Sequence, residues 1–285
     1  MAESDEIEQP DTRSPSERKP QSADKVRLDV LLVERDHFPS RNAAAAAIMA
    51  GDVLIGRGRT RASKAGQSVE RDVLLDIEER QRFVSRGGMK LRNALDSLEL
   101  DPTGAMALDA GASTGGFTDC LLQSGAKHVV AADVAYGELS WSLRSDERVT
   151  VLERCNVRSL TLDHLPYAPD LIVADLSFIS LCKVLPALAQ VAADECRLLL
   201  LVKPQFEVGR KLVGSGGVVR DESVRRSAVE LVASCAVELG LSPIAACSSG
   251  LPGPKGNKEI VLELKKGASS AVRSPAELAF ETPSL

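Results

Sequence analysis

The pattern of residues predicts an α/β protein, a mostly parallel sheet of about seven strands with helices on both faces, preceded by a small α+β unit. Three observations carry this expectation. From residue 83 onward short apolar runs alternate with amphipathic stretches, the order expected of a doubly wound sheet. A glycine-rich turn at 109–117 lies between the first such run and the helix that follows it. Charge is also partitioned along the chain. Residues 1–24 hold seven acidic side chains against three basic ones, a net of −4. Residues 25–69 hold eight basic against four acidic, a net of +4.

The leader 1–24 is rich in Glu, Ser, Pro and Gln and lacks aromatic residues, so a disordered acidic tail is expected there. Residues 25–78 form the small unit. Apolar residues at helical spacing predict a helix over 27–33, and Ser40 is placed to cap a second helix over 43–50. Short strands are expected at 53–55, 67–69 and 73–77. A charged linker, 79–84, leads to the main domain at 85–266, and 267–285 reads as a flexible tail. In the main domain strands are expected at 106–109, 127–133, 150–153, 171–175, 197–203, 243–248 and 259–264. Helices are expected at 115–125, 138–144, 180–193 and 223–239. No element is assigned to 85–105.

Several function classes are disfavoured. The six cysteines are spread singly, without Cys-x-x-Cys spacing, and there are three histidines, so no metal site is expected and the thiols read as reduced and mostly buried. No apolar run approaches the ~18 residues of a membrane span. The leader has no apolar core of a signal peptide, so a cytoplasmic protein without a membrane partner is expected. The overall charge of −5 argues against nucleic acid, but the basic 25–69 segment reverses that inference for one part of the chain.

The turn Asp109-Ala-Gly111-Ala-Ser113-Thr-Gly115-Gly116-Phe117 lets backbone approach a ligand and offers helix N–H groups to an anion. Asp133, ending the second strand, is placed to take two ribose hydroxyls of an adenosine. Neither G-x-G-x-x-G nor Gly-Lys-Ser/Thr is present, and the loop suits S-adenosylmethionine better than a dinucleotide. Its alternative is a turn needed only for packing. Asn156 either hydrogen-bonds the adenine or serves its own turn.

Charged groups recur at strand ends: Asp175, Lys203 at the close of an all-apolar run, Glu259 opening the last strand, and Lys90 ahead of the first. A buried lysine is costly unless paired. A Lys–Asp–Lys–Glu set suits methyl transfer to a ribose 2′-hydroxyl, a poor nucleophile whose proton must be held or removed. The alternative is a structural ion-pair network. No Asp/Asn-Pro-Pro-aromatic sequence, the usual mark of base-nitrogen methylation, follows the fourth strand.

These segments together resemble the TlyA family. The resemblance rests on Ser85-Arg-Gly-Gly-Met-Lys-Leu91, on the 109–119 turn, on Asp175-Leu-Ser-Phe-Ile-Ser-Leu181, on Val202-Lys-Pro-Gln-Phe-Glu-Val-Gly-Arg210 and on Leu251-Pro-Gly-Pro-Lys-Gly-Asn257. It spans roughly 25–266. It implies a Rossmann-like class I methyltransferase domain behind an S4-like RNA-binding domain, with S-adenosylmethionine as cofactor. The implied activity is ribosomal RNA methylation at the 2′-hydroxyl of cytidine, in the large and for some members the small subunit. Lys90, Asp175, Lys203 and Glu259 match the implied catalytic tetrad, and Phe178 joins the loop residues lining the site. Arg27, Arg41, Arg57, Arg59, Arg61, Lys64 and Arg86 are the expected RNA contacts. Ribosomal RNA or subunits are the expected partner and a monomer the expected state. Two rival readings are a non-catalytic ribosome-assembly factor and a haemolysin-like membrane agent.

Overall fold

The computed structural model describes residues 24–78 and 82–267 and the backbone of 280–281. The expected leader and C-terminal tail otherwise lie outside the described residues, as do 79–81 of the expected linker. The chain divides into two compact units, 1–80 and 81–285.

In the first unit β1 (Lys25–Arg27) leads directly into α1 (Leu28–Glu34), so the helix begins just after the start read from the sequence. Ser40 caps α2 (Arg41–Met49) by accepting the Ala43 N–H at 3.2 Å, as its position predicts. Then come β2 (Val53–Ile55), β3 (Thr60–Arg61), β4 (Ser68–Glu70) and β5 (Leu75–Ile77). Strands β3, β2 and β5 pair antiparallel in that order, and β1 pairs with β4. The two helices bury Leu28, Leu31, Leu32, Ala44 and Ile48 against Val53, Ala62 and Val69.

The second unit opens with α3 (Arg86–Ser97), for which the sequence reading had no element. Ser85 caps it, and Leu91, Ala94 and Leu95 form its buried stripe. It is followed by β6 (Met106–Ala110), α4 (Gly116–Gln123), β7 (His128–Ala132), α5 (Trp141–Arg144), β8 (Val149–Leu152) and β9 (Leu171–Ala174). The chain continues through α6 (Leu185–Val191), β10 (Cys196–Val202), α7 (Pro204–Glu207), α8 (Glu222–Glu238), β11 (Ser242–Ser248) and β12 (Ile260–Lys266). A two-residue strand, β13 (Phe280–Glu281), pairs parallel with β11, inside the segment expected to be a tail.

The sheet order is β13-β11-β12-β10-β9-β6-β7-β8. Strands β10, β9, β6, β7 and β8 run parallel, and β12 is antiparallel to both its neighbours. Successive strand residues face opposite layers, as the two-residue period requires. Leu108 packs toward α6 and α8, whereas Ala107 packs toward α3 and α4. The expected architecture, a mostly parallel sheet covered on both faces, is the one found: the seven expected strands are present and the two-residue β13 adds an eighth at the edge.

Gly116, the first residue of α4, is where α3 and α4 meet. A Cβ there would lie 2.8 Å from the Gly88 amide nitrogen and closer still to Ser85 Oγ. Gly116→Ala is therefore expected to destabilise the domain by about 1–3 kcal/mol, because backbone rather than a movable side chain must give way. Thermal melting checks this, and an unchanged midpoint would refute the contact.

The cysteine expectation needs correction. Cys182, in a 3-10 turn, and Cys235, on α8, form a disulfide with a Cα–Cα distance of 5.7 Å. They are 53 residues apart, so only the docking of α8 beside that turn brings them together. Cys120, Cys196 and Cys247 are buried and outside any disulfide, and burial pushes the pKa of the first two thiols up to about 12. No helix among the described residues is long and apolar enough to cross a membrane.

Candidate active site

The parallel strands converge their carboxyl ends on one edge, and the sequence places a charged residue at or just beyond most of them. Asp109 is the penultimate residue of β6, while Asp133, Asp175 and Lys203 directly follow β7, β9 and β10. Strand order reverses between β6 and β9, the position where open α/β sheets form a ligand crevice.

Between β6 and α4 the chain turns through Gly111 at φ +91°. A Cβ at Gly111 would sit 2.9 Å from the Asp175 carbonyl oxygen and 2.8 Å from Leu176 Cδ2, so only glycine lets this loop lie against the next strand end. Asp133 spans the loop: one oxygen accepts the Ser113 N–H and the other the Ala135 N–H, each at 2.8 Å. Ser113 itself sits at φ +49°, and its hydroxyl reaches Glu138 at 3.3 Å. Gly115 caps α4 in the left-handed region.

Asp109 is fully buried. Its Oδ2 accepts both the N–H and the hydroxyl of Thr118, at 2.9 and 2.7 Å, which ties strand to helix. Its Oδ1 is buried with no hydrogen-bond partner, as is Oε1 of Gln205 beyond β10. Burial pushes the Asp109 carboxyl up to about 7, and the negative charges of Asp175 and Asp133 add to the shift. Three carboxylates and unpartnered acceptors suit a cationic group carrying N–H donors. They would repel the diphosphate of a dinucleotide. The side chains thus fit S-adenosylmethionine, which bears a sulfonium and an ammonium.

Two expected cofactor contacts look different in three dimensions. The Phe117 ring is buried in the core beside Phe83 and Leu91, so only the backbone at that position faces the loop. The amphipathic stripe of α4 draws it inward. Asn156 uses its side-chain oxygen to accept the Arg158 N–H at 3.1 Å, the turn-forming role, which leaves its amide hydrogens available.

The four charged residues form two ion pairs. Lys90 Nζ, carried by α3, donates to Glu259 Oε2 at 2.5 Å, with both side chains buried. Lys203 Nζ pairs with Asp175 Oδ1 at 2.6 Å and donates to Ser177 Oγ at 2.8 Å. The two pairs are neighbours through strand register. Val202 on β10 lies opposite Ile260 on β12, so the next position outward sets Lys203 against Glu259. Phe178, 90% exposed and at φ +63°, rests its ring 5.3 Å from that of Phe206.

Three participants were not singled out from the sequence. Ser177 takes the second contact of Lys203. Glu207, on α7, accepts from Ser180 Oγ and from the Leu181 N–H at 2.6 and 2.9 Å. Asn257 is buried and laces two loops together, accepting the Val219 N–H at 2.9 Å and donating to the Gly217 carbonyl at 2.8 Å. Arg86 donates across to the Pro252 carbonyl at 2.9 Å. The available signal was polar residues inside otherwise apolar or glycine-rich motifs. Among the described residues no group of His, Cys, Asp and Glu is arranged to hold a metal ion.

In the first unit the expected basic contacts are mostly tied to acids. Arg27 and Arg41 both bind Asp29, and the hydrogen bond from Arg27 leads in holding that carboxyl well below its usual range. Arg59 pairs with Asp76 and Arg61 with Glu78. Arg57 and Lys64 are exposed and lack such a partner among the described residues.

Residues 83–266 match the FtsJ-like methyltransferase family. A curated relative, the 16S/23S rRNA (cytidine-2′-O)-methyltransferase TlyA of Mycobacterium tuberculosis, is 48% identical over 251 residues, covering 88% of this chain and 93% of that protein. The Bacillus subtilis protein YqxC, provisionally named an rRNA methyltransferase, is 42% identical over 84% of this chain and 85% of its own length. A solved structure from Streptococcus thermophilus, provisionally named a hemolysin, is 38% identical with a TM-score of 0.66, covering 90% of this chain and 95% of that one. With the glycine loop and the paired lysines already in place at one sheet edge, these likenesses identify the chain as a member of the FtsJ-like methyltransferases, in the TlyA family.

Proposed function

We propose that the protein transfers a methyl group from S-adenosylmethionine to a cytidine ribose 2′-hydroxyl in ribosomal RNA, in the large subunit and, in keeping with the name of its M. tuberculosis relative, also the small one. The observation that carries this reading is the double ion pair, Lys90–Glu259 and Lys203–Asp175, beside an acidic glycine-turn pocket. Asp109, Asp133, Asp175 and the backbone of Gly111, Ser113, Gly115, Gly116 and Phe117 hold the cofactor, with the Asn156 amide turned to its adenine. When bound, the cofactor supplies an electrophilic methyl on a positively charged sulfur.

The remaining work falls to the chain itself. Lys203, held between Asp175 and Ser177, orients the ribose oxygen. As the new O–C bond forms at the expense of the methyl–sulfur bond, which would leave a neutral thioether, the hydroxyl proton leaves through this lysine–carboxylate network. Lys90 and Glu259 fix the charge and position of the adjoining wall, and placement contributes much of the acceleration. Phe178 offers an exposed ring to the nucleotide. Residues 25–78 act as an S4-like RNA-reading unit, in which Arg57 and Lys64 make phosphate contacts most readily and Arg27, Arg41, Arg59 and Arg61 do so while shared with acids. Arg86, at the start of α3, adds a contact from within the catalytic domain at 85–266. All four tetrad residues come from one chain, so a monomer suffices, acting in the cytoplasm where ribosomal subunits are found.

Tritiated S-adenosylmethionine with undermodified ribosomal subunits, followed by mapping of ribose methyls, tests this reading. A 2′-O-methylcytidine supports it. A base methyl would overturn the tetrad mechanism, and no incorporation would favour an assembly factor without catalysis.

Cofactor binding should also be linked to a proton. The native Asp109 carboxyl keeps its proton up to about 7, whereas the unfolded chain releases it near the ordinary 3.8. The stability this group contributes is therefore full below 3.8 and is lost as pH rises toward about 7. A cationic ligand favours the ionised form, so cofactor affinity is expected to rise between roughly pH 6 and 8. In Asp109→Asn calorimetry should find weaker binding with that slope flattened. An unaltered slope would remove Asp109 from the pocket.

A further inference from the structure

The segment 175–181 carries Ser177 and Phe178 yet contains no helix or strand until the 3-10 turn Leu181–Lys183. Phe178 is in the left-handed region, unfavourable for a bulky side chain, and such a conformation persists only where the surroundings over-determine it. What determines it here is α7, one turn of helix directly after Lys203. Its leading end holds the segment before Phe178, through Lys203 on Asp175 and Ser177. Its trailing end holds the segment after Phe178, through the Glu207 carboxylate on the Ser180 hydroxyl and the Leu181 N–H. Between the two grips the Phe206 ring lies against Phe178. Glu207 is largely buried, and burial raises its pKa, so the fold accepts a desolvated carboxyl where both of its oxygens are engaged by that one segment.

We propose that Glu207 is a positioning residue for methyl transfer: through Ser180 and Leu181 it sets the segment that presents Phe178, beside Lys203, to the nucleotide being methylated. The inference rests on the methyltransferase reading above and adds a residue to it that touches neither cofactor nor RNA.

Steady-state kinetics on undermodified ribosomal subunits test it with Glu207→Ala, Glu207→Gln and Ser180→Ala. Glu207→Ala should raise KM for RNA about 10-fold and lower kcat, with the S-adenosylmethionine dissociation constant unchanged, because misplacement affects the acceptor side alone. Glu207→Gln should recover most activity, since its amide oxygen still takes the Leu181 N–H and its NH2 group can donate to Ser180 Oγ. Ser180→Ala, which removes one contact, should fall between the two. In a Phe178→Ala background the Glu207→Ala change should add less than about 2-fold, because coupled residues are not additive. Should Glu207→Ala not fold, the Gln and Ser180 variants carry the same comparison. Wild-type kinetics in Glu207→Ala or Ser180→Ala, or an equal loss with and without Phe178, would overturn the positioning role while leaving the methyltransferase reading intact. Absence of transfer by the wild-type protein would instead overturn that reading, and the inference with it.

Discussion

Lys203→Ala should abolish detectable methyl transfer, a loss of about 10³-fold or more, of the size expected when a proton-handling group is removed from a transfer reaction. Binding of S-adenosylmethionine should stay within a few-fold of wild type, because the acidic pocket at Asp109 and Asp133 is untouched. Folding should survive too, since Asp175 keeps partial access to solvent once its partner is gone. Lys203→Arg should not rescue: a planar, forked guanidinium cannot replace a compact ammonium seated between Asp175 and Ser177. Single-turnover assays with equilibrium dialysis separate the two effects. Transfer at the wild-type rate would remove Lys203 from the chemistry, and lost cofactor binding would reassign it to the pocket.

Glu259→Ala should be the most destabilising substitution in the site. It strands the Lys90 ammonium in a buried position, and breaking such a pair costs about 3–5 kcal/mol. The companion measurement is the double variant Lys90→Met, Glu259→Leu. Well-packed apolar residues can replace a buried pair without loss of stability, so this variant should unfold at or above the wild-type denaturant midpoint. It should nonetheless be inactive. Restored stability without restored activity is the signature of a pair kept for function. If the double variant were as active as wild type, the pair would be structural only.

Much of the architecture was legible because strands in a covered parallel sheet read as short apolar runs, and Leu198–Val202 before Lys203 is the clearest. Helix α3 was hidden because Gly87 and Gly88 occupy its first turn and weaken the local helix signal, although Leu91, Ala94 and Leu95 carry the period. The four charged site residues stood out because each interrupts an apolar or glycine-rich run. Their partnership did not. That Lys90 meets Glu259 depends on how α3 packs beside the end of β12, and that Lys203 meets Asp175 depends on the parallel pairing of β10 with β9, neither of which a local pattern encodes. The Cys182–Cys235 bond and the ion pairs that engage Arg41, Arg59 and Arg61 are likewise products of docking, whereas Arg27 meets Asp29 only two residues away. Glu207 sat in a quoted motif, but its hold on Ser180 and Leu181 depends on how two strand-end loops meet.

The span of 169 residues between Lys90 and Glu259 also bears on how the protein is made. During synthesis α3 and the first parallel strands emerge long before β12 exists, and domains generally fold as units once their last elements are available. Until then the Lys90 ammonium has no counter-charge and the wall beside Lys203 is missing. A nascent chain that has not yet presented β12 therefore carries the glycine turn and the first parallel strands without the Lys90–Glu259 pair that closes the edge beside them.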